Sequence, residues 1–415
     1  MWGIIADDVT GATDVAGRLV REGSATALHI GLPDAGWQPP AGTAVTVIAL
    51  TTRSIEAERA VAQSLSAARL LSDLGARHIM LKVCSTFDST DAGNIGPVLD
   101  ALADEFGARR VLVCPASPEN GRTVYRSRLF VHDQLLSESP LRDHPLNPMR
   151  ESDLRIVLAR QSRDRVGSVA RPEVTAGPGS LLEAIRSADG VHVIADATDD
   201  ADLDALAPAA AGEPVSCGAT GLGAAIGRRL HEDRSAGAAP GVRLQDGPAA
   251  IIAGSCSAAT RRQLAELAAA TGATGFAVDP IALAAGDDVV GAAVDYAEAM
   301  LPDGVPVVYS TADPERVASV QRELGTGNAA RLVETALAGI ARELVDRGVR
   351  RLVVAGGETS GAVTGALGVR SARVGVELDP GVPWLATDTD PALAVLLKSG
   401  NFGGPDFFLR AVVAD

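Results

Sequence analysis

The sequence predicts two α/β domains, each with a mostly parallel sheet, and an active-site cleft between them. Three observations lead there. The chain has 415 residues, too many for one ordinary core. Short apolar runs alternate with amphipathic stretches in both halves, the rhythm of strands and covering helices. A Gly/Ala/Pro-rich stretch at 233–247 interrupts that rhythm. The expected division is a domain over 1–235, a linker over 236–248 and a second domain over 249–415.

The elements follow in order. Residues 2–6, Trp-Gly-Ile-Ile-Ala, form the first strand-like run. Val15, Ala16, Leu19 and Val20 then share one face of a helix. Runs at 45–50, 78–83 and 110–116 repeat the pattern, with amphipathic stretches at 55–73 and 94–106 among them. Continuous apolar runs of this length suit strands buried on both faces. From 117 to 150 the sequence turns polar and rich in Arg, His and Pro, which reads as a long irregular segment with a function. Strands resume at 166–170, 191–195 and 214–217. In the second half, 249–253, 276–278, 305–309 and 351–354 read as strands with helical patterns between them. No repeat at a fixed period is present.

Composition excludes several classes. Apolar residues make up 47% and charged residues 21%, the globular range. The formal net charge of −15 and the lack of a basic stripe speak against nucleic acid as a partner. An anionic small ligand then needs local cations. Cys84, Cys114, Cys217 and Cys256 include no C-x-x-C pair and read as reduced thiols of a cytoplasmic protein. The six histidines show no zinc spacing; His132 and His144 share a segment but are not read as ligands, and metal ligands stay unassigned. No signal peptide or membrane-length apolar run is seen, so no membrane partner is expected.

The first constellation is Ala6-Asp7-Asp8-Val9-Thr10-Gly11. A strand that ends in two carboxylates puts them at the carboxyl edge of a sheet, where open α/β folds bind ligands. Adjacent carboxylates repel, so folding alone does not account for the pair. Arg53 follows the second strand-like run, and Lys82, Ser85, Thr86 and Asp88 follow the third. Arg53 suits a bidentate carboxylate and Lys82 a carboxylate or hydroxyl. Asp8 or Asp88 is placed to orient or deprotonate a substrate hydroxyl, with Asp7 in support. Asn120 and Arg122 lie in an Asn-Gly turn where the arginine can reach an anion.

The second half carries three glycine-bearing turns, the first two at strand exits. They hold Ser255 and Ser257; Gly356, Gly357, Glu358, Thr359 and Ser360; and Lys398, Gly400 and Gly403. Backbone N–H groups at such turns attract phosphate, and Lys398 could add a point charge. Neither G-x-x-x-x-G-K-[ST] nor G-x-G-x-x-G occurs. Any one turn could be ordinary capping chemistry; three in one half point to a nucleotide-phosphate site.

Together these motifs resemble the four-carbon acid sugar kinase family over nearly the whole chain. The resemblance rests on the segments around Asp7-Asp8, Lys82–Thr90 and Pro118–Tyr125, on 130–139 with His144-Pro145-Leu146, and on the turns at 356–361 and 398–403. It implies an N-terminal domain that binds a small acid sugar and a C-terminal domain that binds ATP. It further implies Mg2+ as cofactor and phosphoryl transfer to the C4 hydroxyl of a 3-oxo-tetronate. Asp8, ahead of Asp88, would handle that hydroxyl's proton. Where the family pattern reads Gly-Gly-Ser-Gly-Leu, this chain has Cys217-Gly218-Ala219-Thr220-Gly221-Leu222, with Thr220 offering the hydroxyl. A kinase for threonate or erythronate is the nearest alternative. A nicotinamide-dependent dehydrogenase and a non-catalytic sensor are more distant ones, and a homodimer is allowed for.

Overall fold

The computed structural model describes residues 1–143, 147–232, 245–272, 274–302 and 304–413. His144-Pro145-Leu146 and residues 236–244 of the expected linker lie outside the described residues. The chain divides into two compact units, Met1–Pro240 and Gly241–Asp415.

The first unit is built on strands β1 (Trp2–Ala6), β2 (Thr26–Ile30), β3 (Val45–Ala49), β4 (Ile79–Lys82) and β5 (Val111–Cys114), and then β6 (Arg122–Tyr125), β7 (Arg128–Val131) and β8 (Gln134–Leu135). It continues with β9 (Val166–Val169), β10 (His192–Ala195) and β11 (Val215–Gly218). The helices are α1 (Val9–Arg21), α2 (Ala57–Asp73), α3 (Ile95–Phe106), α4 (Leu154–Ala159), α5 (Arg171–Thr175), α6 (Pro178–Ser187), α7 (Asp200–Ala211) and α8 (Thr220–Glu232). The main strands lie in the order β2-β3-β1-β4-β11-β5-β10-β9, all parallel. β1, β3, β4 and β5 are buried along their whole length. That is why they read as unbroken apolar runs rather than alternating ones. Parallel pairing brings all their carboxyl ends to one edge.

The irregular reading of 117–150 is corrected by the fold. β6, β7 and β8 form a small antiparallel sheet within it. Arg126 and Ser127 join β6 to β7 with φ of 51° and 61°. Two positive φ values mark the tight hairpin turn that usually demands Asn-Gly. Here Asp196 holds it open instead: its Oδ2 accepts from the Arg126 N–H at 2.7 Å and its Oδ1 from the Ser127 N–H at 2.8 Å.

The second unit contains β12 (Ala249–Ala253), β13 (Phe276–Ala277), β14 (Val307–Tyr309), β15 (Arg351–Ala355), β16 (Ser371–Asp379), β17 (Val382–Thr387) and β18 (Ala394–Lys398). Its helices are α9 (Ala258–Thr271), α10 (Pro280–Ala285), α11 (Val289–Met300), α12 (Pro314–Leu324), α13 (Thr326–Asp346), α14 (Gly357–Ala366) and α15 (Phe407–Val413). The order β13-β14-β12-β15-β18 is parallel, and β17 and β16 continue it antiparallel. Ile251, Val353, Leu396, Trp384, Phe407 and Phe408 form its core, sealed by α15. The carboxyl ends of β12, β15 and β18 are neighbours, which gathers the three glycine turns.

Candidate active site

Asp8 is the N-cap of α1. Its carboxylate accepts from the Gly11 N–H at 2.9 Å and from Thr10 Oγ1 at 2.7 Å. The neighbouring β3 exit delivers Arg53. Its Nε and Nη2 donate to the two Asp7 oxygens at 2.9 and 2.8 Å, and Nη2 also reaches Asp8 Oδ1 at 2.7 Å. Lys82 ends β4 on the other side of β1 and is buried. A Cβ added to Gly11 would lie 2.8 Å from Lys82 Nζ, so only glycine lets the ammonium come this close to the Asp8 turn.

This arrangement splits the two carboxyls. Burial works against charge at Asp8, but Arg53, Lys82 and the bonds from Thr10 and Gly11 hold its pKa below the usual value. Burial holds Asp7 above its usual value against the pull of Arg53, and the Asp8 charge adds to that. Burial opposes the Arg53 charge too, and the two aspartates override it. The Arg53 fork, which the sequence offered to a substrate carboxylate, is engaged here by Asp7.

The β4 exit turns sharply at Phe87, which is fully buried with φ of 54°. A non-glycine residue there is strained, and such strain gathers at functional turns. It sets Thr86 beside Asp88, with Thr86 Oγ1 donating to Asp88 Oδ1 at 2.6 Å. Ser85 is half-buried on the same turn. Cys84 Sγ lies 2.9 Å from Thr86 Oγ1, and burial pushes its thiol up to about 11.

Asn120 and Arg122 lie beyond the β5 exit. Arg18 and Arg21 of α1 both bond Glu119, the latter at 2.7 Å, and so tie this turn to α1. Arg122 Nη1 donates to the Asn120 carbonyl, while Arg122 Nε is buried without a partner among the described residues.

Two side chains act as supports in ways their local sequence does not show. Asn94 Nδ2 donates to the Thr52 and Ile55 carbonyls at 2.7 and 3.0 Å and so fixes the turn that carries Arg53. Thr220 Oγ1 donates to buried Asp14 at 2.6 Å and joins α8 to α1. Neither has a local pattern to betray it. Asp100, Asp164 and His192 bring possible ligand atoms within 4.8 Å of one another. However, His192 begins β10 at the opposite edge of the sheet, and Asp100 already accepts from His192, Ser162 Oγ and the Arg163 N–H.

In the second unit the three turns touch. A Cβ on Gly254 would collide with Thr359 Oγ1, and one on Gly400 with Ser255 Oγ. Gly356, with φ of 129°, leads into α14, where Gly357, Glu358 and Thr359 make the first turn. Ser360 is fully buried, and its Oγ has no partner among the described residues. Ser257 caps α9, accepting from the Thr260 N–H at 3.2 Å, and donates to the Gly400 carbonyl at 2.5 Å. Gly403 lies further along that turn with φ of 84°. Lys398, read in the sequence as a point charge for phosphate, has protein partners here. It is fully buried and bonds Thr260 Oγ1 and the Ser399 and Gly400 carbonyls at 3.0, 3.1 and 3.0 Å. Arg261, missed in the sequence, lies near Cys256 with its Nε buried and unpartnered among the described residues.

One sheet edge thus carries a carboxylate and cation cluster, and another carries the converging glycine turns. Residues 2–226 match the family described as the sugar-binding N-terminal domain, and residues 250–408 the nucleotide-binding C-terminal domain. The chain belongs to the four-carbon acid sugar kinase family. It is 48% identical to a 3-oxo-tetronate kinase of Cupriavidus necator, over 99% of this chain and 96% of that protein. A 3-oxo-tetronate kinase of Methylobacterium radiotolerans is 49% identical, over 99% and 98%. Among solved structures, a Salmonella typhimurium LT2 protein whose name offers tRNA synthase as a provisional assignment matches with a TM-score of 0.85 and 34% identity, over 99% of this chain and 98% of that one. Haemophilus influenzae protein HI1011 matches with a TM-score of 0.75 and 35% identity, over the same shares. Among the described residues no helix is long and apolar enough to cross a membrane.

Proposed function

We propose that this chain transfers the γ-phosphoryl group of ATP to the C4 hydroxyl of a 3-oxo-tetronate, giving the 4-phosphate and ADP. The observation that carries the reading is the Asp8 carboxylate, held ionised at a sheet edge beside Lys82, in a chain nearly half identical to 3-oxo-tetronate kinases over their full length. The hydroxyl oxygen bonds to the γ-phosphorus, the bond from that phosphorus to the bridging oxygen breaks, and the hydroxyl proton passes to Asp8. In a loose phosphoryl-transfer transition state little nucleophile basicity is needed. A carboxylate held below its usual pKa is then adequate, and its main service is to orient the hydroxyl.

Asp7 and Arg53 hold Asp8 in place, and Lys82 balances its charge. Arg122, with its unmatched Nε–H, takes the substrate carboxylate beside Asn120. Ser85, Thr86 and Asp88 offer hydroxyl-directed contacts on the β4 exit. The turns holding Ser255, Gly356, Gly357, Thr359 and Gly400 receive the phosphates, with Arg261 as the nearby cation. Magnesium, a hard cation that keeps oxygen ligands, would ride on the phosphate oxygens and draw charge from them; Glu358 on the first turn of α14 is the acidic side chain suited to it.

The deciding experiment offers 3-oxo-tetronate, threonate and erythronate to the full chain with ATP and reads ADP release, with and without added magnesium. The expected result is turnover of the 3-oxo acid that is abolished by chelation. Phosphorylation of threonate or erythronate but not of the 3-oxo acid would transfer the reading to the alternative kinase.

A further inference from the structure

The turn 399–404 is held from beneath by three side chains that are almost fully buried: Lys398, Thr260 and Gln263. Gln263 Nε2 donates to the carbonyls of Phe402, Gly403 and Gly404 at 3.0, 2.9 and 3.0 Å. The Gly400 carbonyl accepts from Thr260 Oγ1 at 2.9 Å and Lys398 Nζ at 3.0 Å, besides Ser257 Oγ. The Ser399 carbonyl accepts from Lys398 at 3.1 Å. Five carbonyls of one short turn are thus drawn to the same side.

In a planar trans peptide the N–H points opposite to the C=O of the same unit. Carbonyls drawn inward at 399, 400, 402 and 403 send outward the N–H groups of Gly400, Asn401, Gly403 and Gly404. The last is taken by Asp379 Oδ2 at 2.9 Å. The other three are left pointing away from the supporting side chains, as backbone donors that can receive an anion. Gly400 also lies against Ser255 Oγ, so these donors lie beside the other two turns. Gln263 itself is poorly satisfied: its two amide hydrogens serve three carbonyls, and its Oε1 is buried with no partner among the described residues. Stability alone favours a residue that meets all its bonds.

We propose that Gln263, with Thr260 and Lys398, is a positioning residue for the ATP triphosphate, fixing the 399–404 turn so that its peptide N–H groups face the phosphates. The inference rests on the C-terminal unit's being the ATP half. It gives a function to a glutamine in mid-helix that belongs to no glycine turn.

The test uses the full chain and Gln263→Met, which keeps the volume and removes the amide. Binding of MgADP and of inorganic tripolyphosphate is measured by calorimetry, and steady-state kinetics are run in ATP and in the acid sugar. The expected outcome is about tenfold or more weaker binding of both probes and a matching rise in KM for ATP, as unmet hydrogen bonds imply. The KM for the acid sugar should stay within about twofold and kcat within about threefold, the pattern of lost ground-state binding. A merely structural glutamine would lower the melting temperature and the active fraction but leave both affinities unchanged in the folded protein. Unchanged affinities in a folded Gln263→Met would overturn the proposal. If that variant does not fold, Thr260→Val, which removes one hydroxyl bond to the turn, is read by the same criteria. A wild-type chain that binds neither probe would overturn the ATP assignment and the proposal with it, whereas normal wild-type binding with an unaffected variant sinks only the positioning role.

Discussion

Removing Arg53 should destabilise the first unit in a way that depends on pH. Arg53→Ala takes away three charge-assisted hydrogen bonds, at 2.9, 2.8 and 2.7 Å, from a side chain that is 19% exposed. Taken singly such bonds contribute about 1.5–3 kcal/mol, but these three share one guanidinium and do not add. Breaking a buried pair by deleting one partner costs about 3–5 kcal/mol. Partial exposure and the remaining Lys82 place the expectation at the lower end, about 3 kcal/mol, a large share of a stability of about 5–15 kcal/mol. The pH dependence follows from linkage. In the native chain Asp8 lies below its ordinary 3.8, so its contribution is present above that value and fades as pH falls through the folded pKa. Asp7 lies above 3.8, so its contribution is lost as pH rises through its folded value. Without Arg53 both carboxyls move up from their native values, so each contributes less to folding as pH rises. Urea unfolding of wild type and variant from about pH 4 to about pH 8 should show a gap that widens with pH. A gap below about 1 kcal/mol at the upper end, or one that does not change with pH, would refute the reasoning.

Three further outcomes follow from the same geometry. Asp8→Asn should lower kcat by about 10²–10⁴ with little change in KM for ATP, the range for a positioned acid–base group; a loss under tenfold in initial-rate assays would remove Asp8 from that role. Arg122→Ala should raise KM for the acid sugar by about tenfold or more, the scale of one charged hydrogen bond, and an unchanged value would place the substrate carboxylate elsewhere. Burial pushes Lys398 down to about 7 from 10.5, so between those values the folded protein binds fewer protons than the unfolded chain. Lys398 should therefore add stability as pH rises across that window, and Lys398→Met should remove that slope from thermal unfolding curves; identical slopes would contradict a depressed lysine.

Much of the site was legible because it lies where sequence patterns are strongest. Strands β1, β3, β4 and β5 are buried on both faces, so their apolar runs stand out, and the charged residues Asp7, Asp8, Arg53 and Lys82 stand out at the ends of the first three. β2 was missed because Thr26 and His29 interrupt its apolar content. β16 was missed because its exposure varies along an antiparallel ribbon that contains Arg373, Glu377 and Asp379. The β6–β7 hairpin lacked a turn signature because its strained residues are held by Asp196, about seventy positions away. The same reason hid Asn94, the Asp14–Thr220 pair and Gln263. Each acts on backbone or side chains far off in sequence, and no local spacing encodes that. Arg53 and Lys398 look like ligand-binding cations, but the fold gives both of them protein partners.

The thiol of Cys84 has a practical consequence. It lies within electrostatic reach of Arg53 and Asp88, yet with a pKa of about 11 it is ionised in only about one molecule in ten thousand at pH 7. Cys114 is pushed up to about 12 and Cys217 higher still. Alkylating agents and oxidants attack the thiolate, so these three positions are chemically quiet. A reporter dye on a cysteine introduced at an exposed position of the first unit then meets little competition from that unit's own thiols.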